Sequence, residues 1–257
     1  MEQIIANPAA KRALIVNLVQ EANTRNYDGW DLNFEASPTQ NGRVEFVEKL
    51  ASELKAHGKK LSVTLKAVEA ANEKYELFDI ASLANLDDIY RFKIMGFDNN
   101  FAVGANIPNA IAATNWIEKV LDYMIYSQGL PANKIQLGLH NFSRMWKSLG
   151  NGKYQIDNIN FRSYDFIAAQ SLSSVLQWEE YGLNEFGQTV PSEEEWVDLT
   201  YKNFPYRAYV GGAKTVEKRL HFLQDYHLAG LTFWVLDNQE DPAIYDKITD
   251  YFNSYAN

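Results

Sequence analysis

The sequence predicts an α/β fold with a parallel sheet of barrel type, and three observations carry that expectation. Strand-like runs alternate with helix-like runs along the chain, the pattern of a parallel sheet with crossover helices. The stretch Tyr27–Glu35 reads as a strand with both faces committed: Trp30, Leu32 and Phe34 on one, Gly29, Asp31, Asn33 and Glu35 on the other. The apolar face suits packing under helices. The polar face suits the inside of a parallel barrel, where reactive groups stand at the carboxyl ends of the strands, as Glu35 does here. Finally, 257 residues suit one such domain, and 46% hydrophobic content is ample for its core. No Gly/Ser/Pro linker divides the chain, so residues 1–257 are expected to form a single domain.

The elements follow in order. Residues 7–25 carry Ala10, Leu14, Ile15, Leu18, Val19 and Ala22 at helical spacing, with Pro8 in the first turn. The strand at 27–35 comes next, then a loop through Pro38, Asn41 and Gly42. A helix over 43–57 has Val44, Val47, Leu50, Ala51 and Leu54 as its apolar stripe and Gly58 as its stop. Leu61–Leu65 is a strand, 76–89 a short helix and turn, and Phe92–Phe97 a strand leading into Asp98. A helix over 109–128 is expected from Ile111, Trp116, Ile117, Val120, Leu121 and Met124. Lys134–Leu139 is a strand, 147–160 reads as loop because of its Gly and Asn, and a helix is expected near 164–177. The segment 179–212 mixes loop with a strand at 206–210. Lys214–Tyr226 is a helix, Gly230–Leu236 an apolar strand ending in Asp237-Asn238, and 242–255 a last helix.

Composition narrows the function classes. A net charge of −9 and a sequence pI of about 5.0 argue against nucleic acid or an acidic membrane surface as partner. The absence of cysteine excludes disulfides, a thiol nucleophile and thiolate zinc sites. No stretch approaches the roughly 18 apolar residues of a membrane span. His57, His140, His221 and His227 have no metal-ligand spacing; the first, third and fourth read as surface residues, and His140 stands at a strand end. Gly211-Gly212 lacks the strand-to-helix phosphate fingerprint. No metal or cofactor is expected. The 15 Tyr and 6 Trp suit sugar stacking or an ordinary core.

Tyr27-Asp28-Gly29-Trp30-Asp31-Leu32-Asn33-Phe34-Glu35 resembles the signature of glycoside hydrolase family 18, the chitinase and endo-β-N-acetylglucosaminidase family, whose pattern is Asp-Gly-x-Asp-x-Asp-x-Glu. One position departs, Asn33 for Asp, and the Asn-x-Glu pair is similar to that of family 85. Downstream, Lys93-Ile94-Met95-Gly96-Phe97-Asp98 resembles the family's Met-x-Tyr-Asp strand, with Phe97 in place of Tyr. Gly138–Arg144 loosely resembles Gly-x-Pro-x-Tyr-Gly-Arg, and Gly230-Leu231-Thr232-Phe233-Trp234 the final strand. The resemblance implies a TIM-type (β/α)8 barrel, incomplete here, with strands four to eight of eight. A fragment, a partner chain that completes the barrel and an open barrel all fit that count, the fragment best. It also implies a secreted or cell-surface location for the complete gene product.

The resemblance further implies hydrolysis of β-1,4 bonds in N-acetylglucosamine-containing oligo- or polysaccharides: chitin, N-glycan or peptidoglycan. In that family the substrate's own 2-acetamido oxygen attacks the anomeric carbon. Glu35 is then the acid, which burial beside Asp31 is expected to keep neutral. Asn33 orients the acetamido group, and Asp31 completes the catalytic set. Asp28, Met95, Phe97, Asp98, Arg144 and Trp234 are the implied substrate-binding residues. An amide accepts a hydrogen bond as a carboxylate does but cannot carry its charge, so the resemblance implies either weakened turnover or a family 85-like use of the amide. The rival reading is a non-catalytic, chitinase-like lectin with a hydrogen-bonded polar core at 31, 33 and 35. Three residues carry plainer alternatives: a strand-end cap for Asp98, a surface ion pair for Arg144 and a core position for Trp234. Tyr201, Phe204, Tyr206 and Tyr209 read as core or edge aromatics rather than a cleft lining.

Overall fold

A computed structural model of the chain describes residues 2–35, 42–70, 78–99, 104–157, 162–171, 176–184, 186–236 and 239–255. The chain forms two compact units, Met1–Met95 with Val120–Leu137 and His227–Gly230, and Gly96–Lys119 with Gly138–Tyr226 and Leu231–Asn257.

The first unit opens with α1 (Glu2–Ala6) and α2 (Pro8–Thr24). Between them the Asn7 side chain accepts from the N–H groups of Ala9 and Ala10, and Pro8 takes the first helical position, where no N–H is missed. There follow β1 (Gly29–Asn33), α3 (Arg43–Ala56), β2 (Lys60–Lys66), α4 (Ile80–Ala84) and β3 (Arg91–Met95). Gly58, at φ 70°, follows the end of α3 in the left-handed region that a glycine enters without strain. β1 pairs with β2, and β2 with β3, both parallel. Leu61, Val63, Leu65, Phe92 and Ile94 are buried, as are Phe46, Val47, Leu50 and Leu54 of α3. Trp30 meets the helical layer through its indole N–H, which donates to the Leu18 carbonyl at 2.9 Å.

Gly29 is needed for the approach of β1 to β2. A Cβ there would lie 1.9 Å from the Lys60 carbonyl oxygen, which is backbone and cannot rotate away. Gly29→Ala is expected to destabilise the fold by about 3 kcal/mol, read as a lower urea midpoint.

The first sheet has the order β1-β2-β3-β4-β10, with β4 at Ile135–His140 and β10 at Gly230–Trp234. These are the five strands the sequence predicts for the parallel sheet. The expected helix over 109–128 starts later, as α5 (Thr114–Leu121), and continues as a π-helical turn over Asp122–Ser127. Residues 110–113 lie outside the helix, and the N–H groups of Ile111 and Ala112 are taken by a side chain described below.

The second unit carries a sheet of which the sequence predicts only the strand at 206–210, found within Phe204–Val210. β5 (Arg144–Gly150), β6 (Lys153–Ile156), β7 (Gln177–Leu183), β8 (Thr189–Tyr201) and β9 (Phe204–Val210) are antiparallel in the order β6-β5-β9-β8-β7. The expected loop at 147–160 is mostly the β5–β6 hairpin. Its turn is Asn151-Gly152, at φ 54° and 72°, the positive pair that a two-residue hairpin requires. Lys202 and Asn203, at 49° and 66°, make the same turn between β8 and β9. One face of this sheet buries Met145, Val197, Leu199, Ala208 and Val210 with Ile167 of α6 (Tyr164–Gln170). The other packs Trp146 and Tyr209 on Ala110, Ile111 and Phe142. The helix expected near 164–177 therefore stops at Gln170, and residues 172–175 lie outside the described residues.

The expected helix over 214–226 is two pieces, α7 (Ala213–Arg219) and α8 (His221–Asp225). The last helix, α9, spans Ala243–Tyr255. Asp237 and Asn238 lie outside the described residues. Among the described residues, no helix is long and apolar enough to cross a membrane.

Candidate active site

In the first unit Asp31 and Asn33, on the polar face of β1, and Glu35 just past its end are all exposed. The Asn33 Nδ2 donates to Glu35 Oε1 at 2.7 Å. Between them Phe34 turns to the opposite side. It meets Phe78 edge-on at 5.7 Å, and the buried Arg43 guanidinium lies 5.4 Å from its ring. This packing anchors the segment that carries Glu35. Asp28 is exposed at the start of the strand, and its carbonyl accepts the Lys60 N–H at 2.9 Å. Met95, at the end of β3, is half-buried.

The expected burial of Glu35 beside Asp31 is not found. Asp31 is occupied elsewhere: Thr64 Oγ1 donates to its Oδ2 at 2.8 Å, and the Lys93 ammonium lies 3.1 Å from its Oδ1. The side chains that meet at this strand end are those of Asn33 and Glu35.

In the second unit Asp98 adopts a left-handed conformation, φ 72°, and its Oδ1 accepts from both Nε and Nη2 of Arg144. The expectation of a surface ion pair at Arg144 is half right. The pair exists, but Arg144 is 2% exposed, its guanidinium 5.3 Å from the Phe142 ring. Phe97 meets that same ring edge-on at 5.8 Å. Trp234 is not a core residue; it is 47% exposed, and the bond to Val235 is cis. Asn141 holds this turn, its backbone N–H donating to the Trp234 carbonyl and its side chain to the Val235 carbonyl. Of the aromatic group, Tyr206 and Tyr209 are buried and Phe204 is exposed.

Several buried charges escaped the sequence reading. Glu194 on β8 is wholly buried, and its two oxygens accept the N–H groups of Ile111 and Ala112 at 2.8 and 3.0 Å. His140 Nε2 stands 3.4 Å from Oε1 without a well-aligned hydrogen bond, so His140 faces Glu194 and not solvent. Arg219 Nη2 is 3.7 Å from Oε2 and also donates to the Ala112 and Ser192 carbonyls. Burial pushes the Glu194 carboxyl up, but His140, Arg219 and the Ile111 N–H outweigh it and leave the group below its ordinary value. The only sequence signal was Glu193-Glu194-Glu195 inside a run of strand formers, and a glutamate run ordinarily reads as solvated.

Glu179 goes the other way. Burial raises its carboxyl, although the Tyr209 and Ser192 hydroxyls donate to it at 2.6 and 2.7 Å. Its contribution to stability is therefore full below the ordinary carboxylate value and lost as pH rises through the raised one. Thermal melts of Glu179→Gln against the wild type are expected to shift in favour of the variant between pH 4 and pH 8. Glu195, also raised by burial, accepts the Thr215 N–H at 3.2 Å, and Asp241 Oδ2 accepts the Ala213 N–H at 2.8 Å, so both carboxylates cap α7. A cleft of about 540 Å³ in this unit is lined by Thr114, Glu118, Tyr181, Glu193, Lys218 and His221, among others, and holds none of the sequence-predicted site residues. Among the described residues, no group of three His, Asp or Glu is placed to hold a metal ion.

Parallel strands with polar groups at the carboxyl end of β1, and a second, antiparallel sheet that follows β4 in the chain, define an α/β protein with two sheets. The chain belongs to the glycosyl hydrolases family 18, whose family model matches residues 2–239. Membership implies the TIM-type barrel fold. The chain is 22% identical over 251 residues to the uncharacterized glycosylase YvbX of Bacillus subtilis, covering 93% of this chain and 66% of that protein. It superposes on a chitinase from Chromobacterium violaceum with a TM-score of 0.77 at 21% identity, over 95% of this chain and 72% of the other. The spore cortex-lytic enzyme SleL of Bacillus megaterium superposes with a TM-score of 0.75 at 17% identity, over 96% and 54%.

Proposed function

We propose that this chain is a glycosidase that cleaves β-1,4 linkages of N-acetylglucosamine-containing glycans by substrate-assisted, retaining catalysis. The observation that carries the reading is the Asn33–Glu35 pair, 2.7 Å apart and exposed at the carboxyl end of a parallel strand in a family 18 chain. In the proposed reaction the substrate's 2-acetamido oxygen attacks the anomeric carbon while Glu35 protonates the departing glycosidic oxygen. The Asn33 N–H is engaged with Glu35, which leaves its carbonyl oxygen to accept from the acetamido N–H. Water then opens the oxazolinium ion, with Glu35 returning as base. Asp31 holds the floor of the site through Thr64 and Lys93. Asp28, Met95, Phe97 and Asp98 are the proposed sugar contacts, the buried Arg144 acts through Asp98, and the exposed Trp234 offers a stacking face. The reaction needs no metal or cofactor.

Chitin, peptidoglycan and N-glycan are the substrate classes to compare, peptidoglycan on the strength of the likeness to a cortex-lytic enzyme. A secreted or cell-surface location follows from such polymers. A second reading, a non-catalytic chitinase-like lectin, has two observations in its favour: Asn33 and Phe97 both depart from the family pattern around the acetamido group. The test is release of reducing ends from an N-acetylglucosamine oligomer, followed with the anomeric configuration of the product by NMR. Cleavage with retention supports the enzyme; saturable binding without cleavage establishes the lectin.

A further inference from the structure

The residue that decides what position 33 can do is Lys93. Strand register places Asn33, Thr64 and Lys93 in one cross-strand row, with Asp31 and Ser62 in the next. Lys93 nevertheless reaches across β2, roughly two strand spacings or 9–10 Å, and sets its ammonium 3.1 Å from Asp31 Oδ1. The two side chains are 29% and 37% exposed, so the pair is partly screened from solvent. Thr64, from the middle strand, donates to the second oxygen of Asp31. The carboxylate is thus held from two strands and its charge balanced.

That arrangement bears on the departure at Asn33. An acid at position 33 would stand in the same row as Lys93 and compete with Asp31 for one ammonium. A carboxylate captured there turns from the sugar, whereas an amide carries no charge to be captured. Resting on the glycosidase reading above, we propose that Lys93 is a positioning residue. It fixes Asp31 and makes an uncharged amide, rather than an acid, the group at position 33 that can orient the acetamido arm of the substrate.

The test is a factorial set of wild type, Asn33→Asp, Lys93→Asn and the double variant, with Lys93→Arg as the charge-conserving control. Turnover of an N-acetylglucosamine oligomer and thermal melting are measured on each. Asn33→Asp alone is expected to lower kcat at least fivefold, and Lys93→Asn alone at least tenfold. The double variant is expected to turn over no more slowly than Lys93→Asn, so that the acid at position 33 costs nothing once the ammonium is gone, while Lys93→Arg keeps most of the wild-type rate. A merely structural role for Lys93 predicts instead that the two losses multiply. The proposal is overturned if Asn33→Asp alone raises turnover, or if it lowers turnover by the same factor in the Lys93→Asn background as in the wild type. If Lys93→Asn does not fold, Lys93→Gln replaces it under the same criteria. Failure of the glycosidase reading looks different: the wild type binds the oligomer and cleaves none. Oligomer affinity then replaces kcat, and the same sign pattern is required.

Discussion

Glu35→Gln is expected to lower oligomer cleavage by about 10³-fold while leaving oligomer affinity within about threefold, since removing a general acid typically forfeits 10²–10⁴ in rate. The replacement is isosteric. Its carbonyl oxygen can still accept from Asn33 Nδ2, and Phe34 still anchors the turn between Phe78 and Arg43, so the strand end keeps its shape. Only the transferable proton is lost. Single-turnover cleavage and calorimetric binding on the same preparation separate the two quantities. Unchanged cleavage removes Glu35 from the mechanism, and loss of binding with cleavage assigns it to substrate affinity.

The second large effect concerns folding. Glu194→Ala is expected to destabilise the protein by about 4 kcal/mol, the size seen when one partner of a buried charge network is removed. The Ile111 and Ala112 N–H groups lose their acceptors, and Arg219, 1% exposed, is left without its carboxylate. Urea unfolding at pH 7 measures the loss. The dependence on pH has a definite sign. The Glu194 carboxyl lies below its ordinary value of 4.5, so its contribution is present above that value and is lost as pH falls through the lowered one. The gap between wild type and Glu194→Ala should therefore narrow in acid, whereas wild type loses ground to Glu179→Gln as pH rises above the ordinary carboxylate value. A loss of stability independent of pH would assign the Glu194 effect to packing alone.

The parallel strands were legible because each announces itself twice, by alternation and by the helix that follows. Val63 and Leu65 fall on the buried side of β2, and Lys60, Ser62, Thr64 and Lys66 on the other, as a period of two requires. The antiparallel sheet was not legible for two reasons. Asn151-Gly152 was weighed as loop composition rather than as a hairpin turn, and in β8 the left-handed Glu193 interrupts the alternation that would have identified a strand. Neutralised charges defeat pattern reading in the same way: Glu194, Arg144 and Arg219 look like surface residues until their partners, far along the chain, are known. At the strand-end site, spacing put Asn33 and Glu35 on one face correctly. It gave no sign that Lys93 would claim Asp31, because that contact depends on the register of three strands.

The Gly211 N–H donates to the Phe142 carbonyl at 3.1 Å, and a Cβ on Gly211 would lie 2.6 Å from that same oxygen. The polypeptide thus leaves for the antiparallel sheet and comes back through one narrow doorway. Lengthening or trimming what lies beyond it changes little in the entropy of closing that excursion. The far turn of that excursion, Asn151-Gly152, can therefore be lengthened at little cost, provided the residue at the doorway stays a glycine.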